Sequence, residues 1–150
     1  MTIREAIDRA DTIKPNQYSD DIKMQWLSEV DNRIYNDLFM THEDNPYLDI
    51  EPPEEGEEDQ RLIFPYTDDS KTLLAEPPYD ILYPSYLKAK IDEANEEMTR
   101  YQNSSAMYNS QYQDYARWYN RSHMPIQTVL RRKECYSQDS PIQDQRRIDN

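Results

Sequence analysis

The sequence predicts a mainly α protein: a helical bundle with one long helix over about residues 84–121, a short β-element and extended arms. Three observations lead there. The 150 residues include a single glycine, Gly56, which leaves little provision for phosphate-cradling loops, Rossmann turns or hairpin-rich sandwiches, all of which need positive φ. Apolar and aromatic residues recur at alternating spacings of four and three between Leu87 and Tyr119. Aliphatics are scarce, with Ile, Leu, Val and Phe supplying 25 residues, but 13 Tyr and 2 Trp compensate, each ring burying about 150–250 Å².

At the N-terminus, Thr2 and Glu5 fit a capping box, and Ile3, Ala6, Ile7 and Ala10 form an apolar face. Lys14-Pro15-Asn16 ends this helix, because the residue before proline avoids helical backbone. Ser19 caps a second helix, with Asp20 and Asp21 against its positive end. Ile22, Trp26, Leu27, Val30, Ile34 and Leu38 recur along it, and Trp26, Leu27, Val30 and Ile34 are its expected core anchors.

Residues 41–60 hold nine Asp and Glu, no Lys or Arg, three prolines and the one glycine. Such a block repels itself and is expected as a mobile acidic loop. Its spacing does not fit an EF-hand, so a solvated loop outweighs a Ca²⁺ site. The apolar runs at 62–64 and 72–75 are expected as a β-hairpin or as two extended packing strips. Pro84 belongs in the first turn of the long helix, whose anchors are Leu87 and Ile91. Its seam runs on through Ala94, Met98, Tyr101, Ser105, Tyr108, Tyr112, Tyr115 and Tyr119, with a weak point at Asn103-Ser104-Ser105. The expected division is a helical domain over 1–125 and an extended C-terminal arm over 126–150, where Arg131, Arg132 and Lys133 cluster.

Chemistry is sparse. His42 and His123 lie far apart in sequence, and a polar surface role outweighs a catalytic one. Cys135 has no recognisable partner base and reads as an incidental thiol. Neither a nucleophile motif nor a metal-binding motif occurs, so neither enzymatic activity nor a cofactor is expected. A net charge of −13 disfavours binding of free nucleic acid and favours protein partners. No apolar run is long enough to span a membrane, and residues 1–5 lack a secretory signal's apolar region. The Tyr stripe could stack single-stranded nucleic acid, but only Arg100, Arg117 and Arg121 accompany it. A buried core stripe is the favoured reading, with Tyr101, Tyr108, Tyr112, Tyr115 and Tyr119 as candidate subunit contacts beside Arg131, Arg132 and Lys133.

Several stretches carry a resemblance. They are Thr2 to Arg9, Lys14-Pro15-Asn16, Tyr18-Ser19, and Trp26-Leu27-Ser28-Glu29. They continue with Pro78-Tyr79-Asp80, Tyr83, Tyr86-Leu87, Ile91-Asp92, Ala94-Asn95-Glu96, Tyr101-Gln102-Asn103-Ser104, and Tyr119 to Pro125. Together they resemble the small head–tail connector, or neck adaptor, proteins of tailed bacteriophages and prophages of Gram-positive bacteria, over roughly residues 2–40 and 72–125. The resemblance implies a virion protein assembled in the host bacterial cytoplasm. It implies a helical subunit forming a ring of about twelve copies under the portal protein. That ring would extend the DNA channel without binding DNA specifically and would seat the next neck, stopper or tail protein. The acidic block looks longer than the corresponding loop, and the C-terminal arm runs past the resemblance. The rival from another class is an acidic protein-binding module such as a DNA-mimicking inhibitor, which would spread its acids along a regular face.

Overall fold

The computed structural model describes residues 1–126. Within them four α-helices follow in order: α1 (Ile3–Ile13), α2 (Asp20–Ile34), α3 (Leu82–Ala94) and α4 (Met98–Ser122). A π-helical turn, Tyr35–Phe39, prolongs α2, and a 3₁₀ turn, Tyr79–Ile81, leads into α3. The fold is mainly α, and no strand occurs among the described residues. None of these helices is long and apolar enough to cross a membrane.

The caps form where the side chains dictate. Thr2 Oγ1 accepts from the Glu5 amide at 3.2 Å while Glu5 returns a carboxylate oxygen to the Thr2 amide at 3.0 Å. Ser19 Oγ accepts from the Ile22 amide at 3.4 Å. Helix α3 lies at the centre, packed on α1, α2 and α4, with Leu82, Tyr83, Leu87 and Ile91 fully buried. Pro84 falls in its first turn, where an amide would have no helical partner. Leu27, Val30 and Ile34 of α2 are buried as expected. Trp26 packs against the core only at its margin, partly buried and edge-on to Tyr18 at 5.7 Å, and Ile22 is exposed. The inward face of α2 is centred instead on Met24, Leu27, Ser28 and Asp31.

The single helix over 84–121 is also corrected. Asn95, Glu96 and Glu97 turn the chain back, and α3 and α4 form an antiparallel hairpin. Glu97 N–H donates to Asp92 O and Glu96 N–H to Glu93 O, both at 3.0 Å, which is a Schellman closure. The seam positions that flank the turn, Ala94 and Met98, are exposed, so the regular spacing there does not mark one buried face. Asn103-Ser104-Ser105 lies inside α4, and Ser104 is used to bind α3 rather than to start a helix.

The β-hairpin does not form; the 72–75 run packs as an extended strip, whereas in the 62–64 run Leu62 and Phe64 are only partly buried and Ile63 is exposed, the chain turning inward at Tyr66 instead. Tyr66, Leu73, Leu74 and Ala75 are buried against the helices. Residues 69–73 run along the start of α1, with Ile3 N–H donating to Lys71 O at 3.0 Å and Leu73 N–H to Met1 O at 3.0 Å. Only an isolated bridge, Thr2 with Thr72, has strand geometry there. The acidic block is irregular and mostly exposed, but Tyr47 stacks on Phe39 at 5.9 Å and fastens it to the end of α2. Arg131, Arg132, Lys133 and the rest of the expected arm beyond residue 126 lie outside the described residues.

Glu96 sits at φ 60°, in the left-handed region that glycine tolerates best. Replacing it should relieve the backbone without removing a packed side chain, since the residue is exposed. Glu96→Gly is expected to raise stability by up to about 1 kcal/mol in urea unfolding, where glycine inside α4 would lower it by a similar amount.

Candidate functional site

Two buried polar centres and one aromatic spine organise the molecule. The first centre is Asp31 on α2, wholly buried. Its Oδ1 accepts from Tyr83 Oη of α3 at 2.5 Å. Its Oδ2 accepts from Tyr66 Oη at 2.5 Å and from the Leu74 amide at 3.3 Å. Tyr83 Oη in turn accepts from the Ala75 amide at 2.8 Å, and Ser28 Oγ, one turn before Asp31, accepts from the Tyr66 amide at 2.8 Å. A single carboxylate therefore joins α2, α3, the chain at Tyr66 and the extended strip at Leu74. Burial pushes its carboxyl up to about 6, against the opposing pull of these hydrogen bonds.

The second centre is Asp92 on α3, also fully buried. It is hydrogen-bonded to Lys14 Nζ, at the end of α1, and accepts from Ser104 Oγ of α4 at 2.6 Å. Lys14 reaches Glu97 in the turn as well. Burial opposes ionisation of Asp92, yet the hydrogen bonds from Lys14 and Ser104 hold its carboxyl below the ordinary range.

The aromatic spine is the inner face of α4. Tyr108, Tyr112, Tyr115 and Tyr119 are buried within the subunit, and Tyr101 is half-buried. Tyr86 meets Tyr108 at 4.8 Å, Tyr79 meets Trp118 at 5.2 Å, and Phe39 stacks on Tyr119 at 5.2 Å. Tyr112 Oη donates to Asp37 at 2.9 Å, beneath the Arg33 guanidinium at 4.1 Å from its ring centroid. With four of the five predicted contact tyrosines spent inside the fold, the exposed apolar positions of α4 are Met98 and Met107.

The histidines come together at the far end of the spine. Contrary to its expected surface position, His42 is buried, with Nδ1 at 2.5 Å from Leu38 O and its ring edge-on to Tyr119 at 4.9 Å. His123 stacks on Tyr119 at 3.8 Å, and its Nε2 lies 3.6 Å from Asp44. Their ring centroids are 6.4 Å apart. The pair anchors the end of α4, as the His42–Pro125 bridge also does. No group of three metal-ligating side chains occurs among the described residues.

Sequence periodicity did not point to Asp31 or Asp92, which stood as ordinary acids on helices. The usable signal for Asp31 was its place one helical turn after Leu27, on the apolar face. No protein-family model, curated protein or solved structure matches the chain.

The raised Asp31 carboxyl predicts a pH dependence of defined sign. The ordinary value is 3.8 and the folded value about 6, so the folded state favours the protonated form. Stability from this group is complete below pH 3.8 and is lost as pH rises through about 6, amounting to at most about 3 kcal/mol. Urea titrations of wild type and Asp31→Asn across that window should show the wild type losing ground to the variant as pH rises.

Proposed function

We propose that this chain is a structural virion protein, a head–tail connector adaptor that forms a ring of about twelve copies under the portal. The ring extends the DNA channel and seats the next neck, stopper or tail protein. The observation that carries this reading is where the residues behind the resemblance meet. Lys14, Asp92 and Ser104 come from three separate stretches that resemble neck adaptors, and they converge on one buried centre. Ser28 and Tyr83, from two more, belong to the network around Asp31. Part of the resemblance thus falls on side chains that determine how the helices assemble, beside exposed positions such as Asn95, Gln102 and Arg121.

The charge distribution favours the adaptor over a DNA-mimicking inhibitor. Nine of the 30 acidic residues sit in one irregular block, and others accept hydrogen bonds from tyrosines, Asp31 inside the core and Glu29 and Asp37 at its half-exposed rim. Neither disposition makes the regular acidic face that mimicry of a phosphate backbone requires. DNA passing through such a ring is repelled rather than gripped. We assign no catalytic step and no cofactor to the chain.

Native mass spectrometry of the full chain mixed with the portal of the same phage tests the proposal. Portal-bound rings are expected, and a chain that stays free of the portal would contradict it. Truncation after residue 125 should weaken portal attachment, through loss of Arg131, Arg132 and Lys133, while helical circular dichroism is retained.

A further inference from the structure

We propose that the groove between α1, α3 and α4 receives the acidic 41–60 block of a second copy of this chain, an inference that rests on the ring assembly above and identifies its subunit contact. The groove carries exposed apolar side chains from three places: Ile13 at the end of α1, Ile81 before α3 and Met107 on α4, each about half or more exposed. Basic side chains flank them. Of the twelve Lys and Arg among residues 1–126, Arg9, Lys71, Lys88 and Arg121 make no ion pair with a described residue. Arg9 and Lys88 both line this groove, and Arg100 stands at its edge. Of the two acids along it, Asp92 is paired with Lys14, and Asp8 lies 3.6 Å from Arg4, which Asp20 and Asp69 share. In a chain of net charge −13, this is a surface with spare positive charge around an apolar floor.

The acidic block has the converse composition. Leu48 is 57% exposed and lies among Asp44, Asp49 and Glu51, followed by Glu54, Glu55, Glu57 and Glu58. Within its own chain the block is held to the π-helical turn that prolongs α2, by Tyr47 on Phe39 and by Asn45 Nδ2 on Tyr35 Oη at 3.4 Å. No residue from 41–60 lines the groove. Two complementary surfaces at different places on one chain make a head-to-tail contact, the type that closes into rings when the rotation per subunit permits. Opposite charges at its rim fix register and speed encounter more than they add affinity.

The test uses the full chain and a labelled synthetic peptide of residues 43–60. Fluorescence anisotropy should show the peptide binding the wild type, with affinity falling as salt rises. The double variant Arg9→Glu, Lys88→Glu should bind it at least about tenfold more weakly. Equal binding to variant and wild type, or none to either, would overturn the proposal. A charge swap provides the second arm. Neither this variant nor one carrying Glu54→Lys, Glu55→Lys, Glu57→Lys and Glu58→Lys should form rings on the portal alone, whereas their mixture should, because each then offers the other a matched surface. Rings from either variant alone would leave the adaptor function intact and remove this interface. Peptide binding without portal-bound rings of wild type would keep the contact and remove the adaptor function.

Discussion

Asp31 is a carboxylate shut away from water, and the arrangement of half the chain follows from how its two oxygens are satisfied. One tyrosine hydroxyl comes from α3, another from Tyr66, and a backbone amide comes from the strip at residue 74. A buried charge survives only when its lone pairs are occupied, so these partners must arrive together. That requirement makes the long excursion between α2 and α3 part of the fold rather than a loose connection. Its first half, the acidic block, stays at the surface, while its second half is drawn in under α1.

The same chemistry explains how a chain short of aliphatic residues packs a core. Tyrosine brings large apolar area together with a hydroxyl that must find an acceptor when buried. The acids of α2 and its π-helical extension supply those acceptors: Glu29 to Tyr86, Asp31 to Tyr66 and Tyr83, Asp37 to Tyr112. Part of the acidic excess therefore pairs with tyrosine hydroxyls, Asp31 in the interior and Glu29 and Asp37 at its rim. A core assembled this way is thin and directional, and it leaves apolar side chains such as Ile13, Ile81 and Met107 exposed on the opposite side.

Much of this was legible before any coordinates. The capping box at Thr2, the break at Pro15, the Ser19 cap and the inward face through Leu27, Val30 and Ile34 all follow from local rules that tertiary contacts do not override here. The α3–α4 turn was not, for a specific reason. Its left-handed position is taken by glutamate instead of the usual glycine, and the 4-3 spacing in the sequence runs on through Ala94 and Met98 although both are exposed, so neither composition nor periodicity marks it. Long-range hydrogen bonds were equally hidden. Nothing in the local sequence of Asp92 separates it from a solvated acid, since Lys14 and Ser104 reach it from other helices.

The central claim is that a thin, tyrosine-lined helical subunit serves as one copy of a ring in a phage neck. Cryo-electron imaging of the intact particle's neck addresses it most directly, because the four helices and the α3–α4 hairpin give the density a distinctive shape. The account predicts this fold repeated as a closed ring between the portal and the next neck component. A neck whose density contains no such subunit would contradict it.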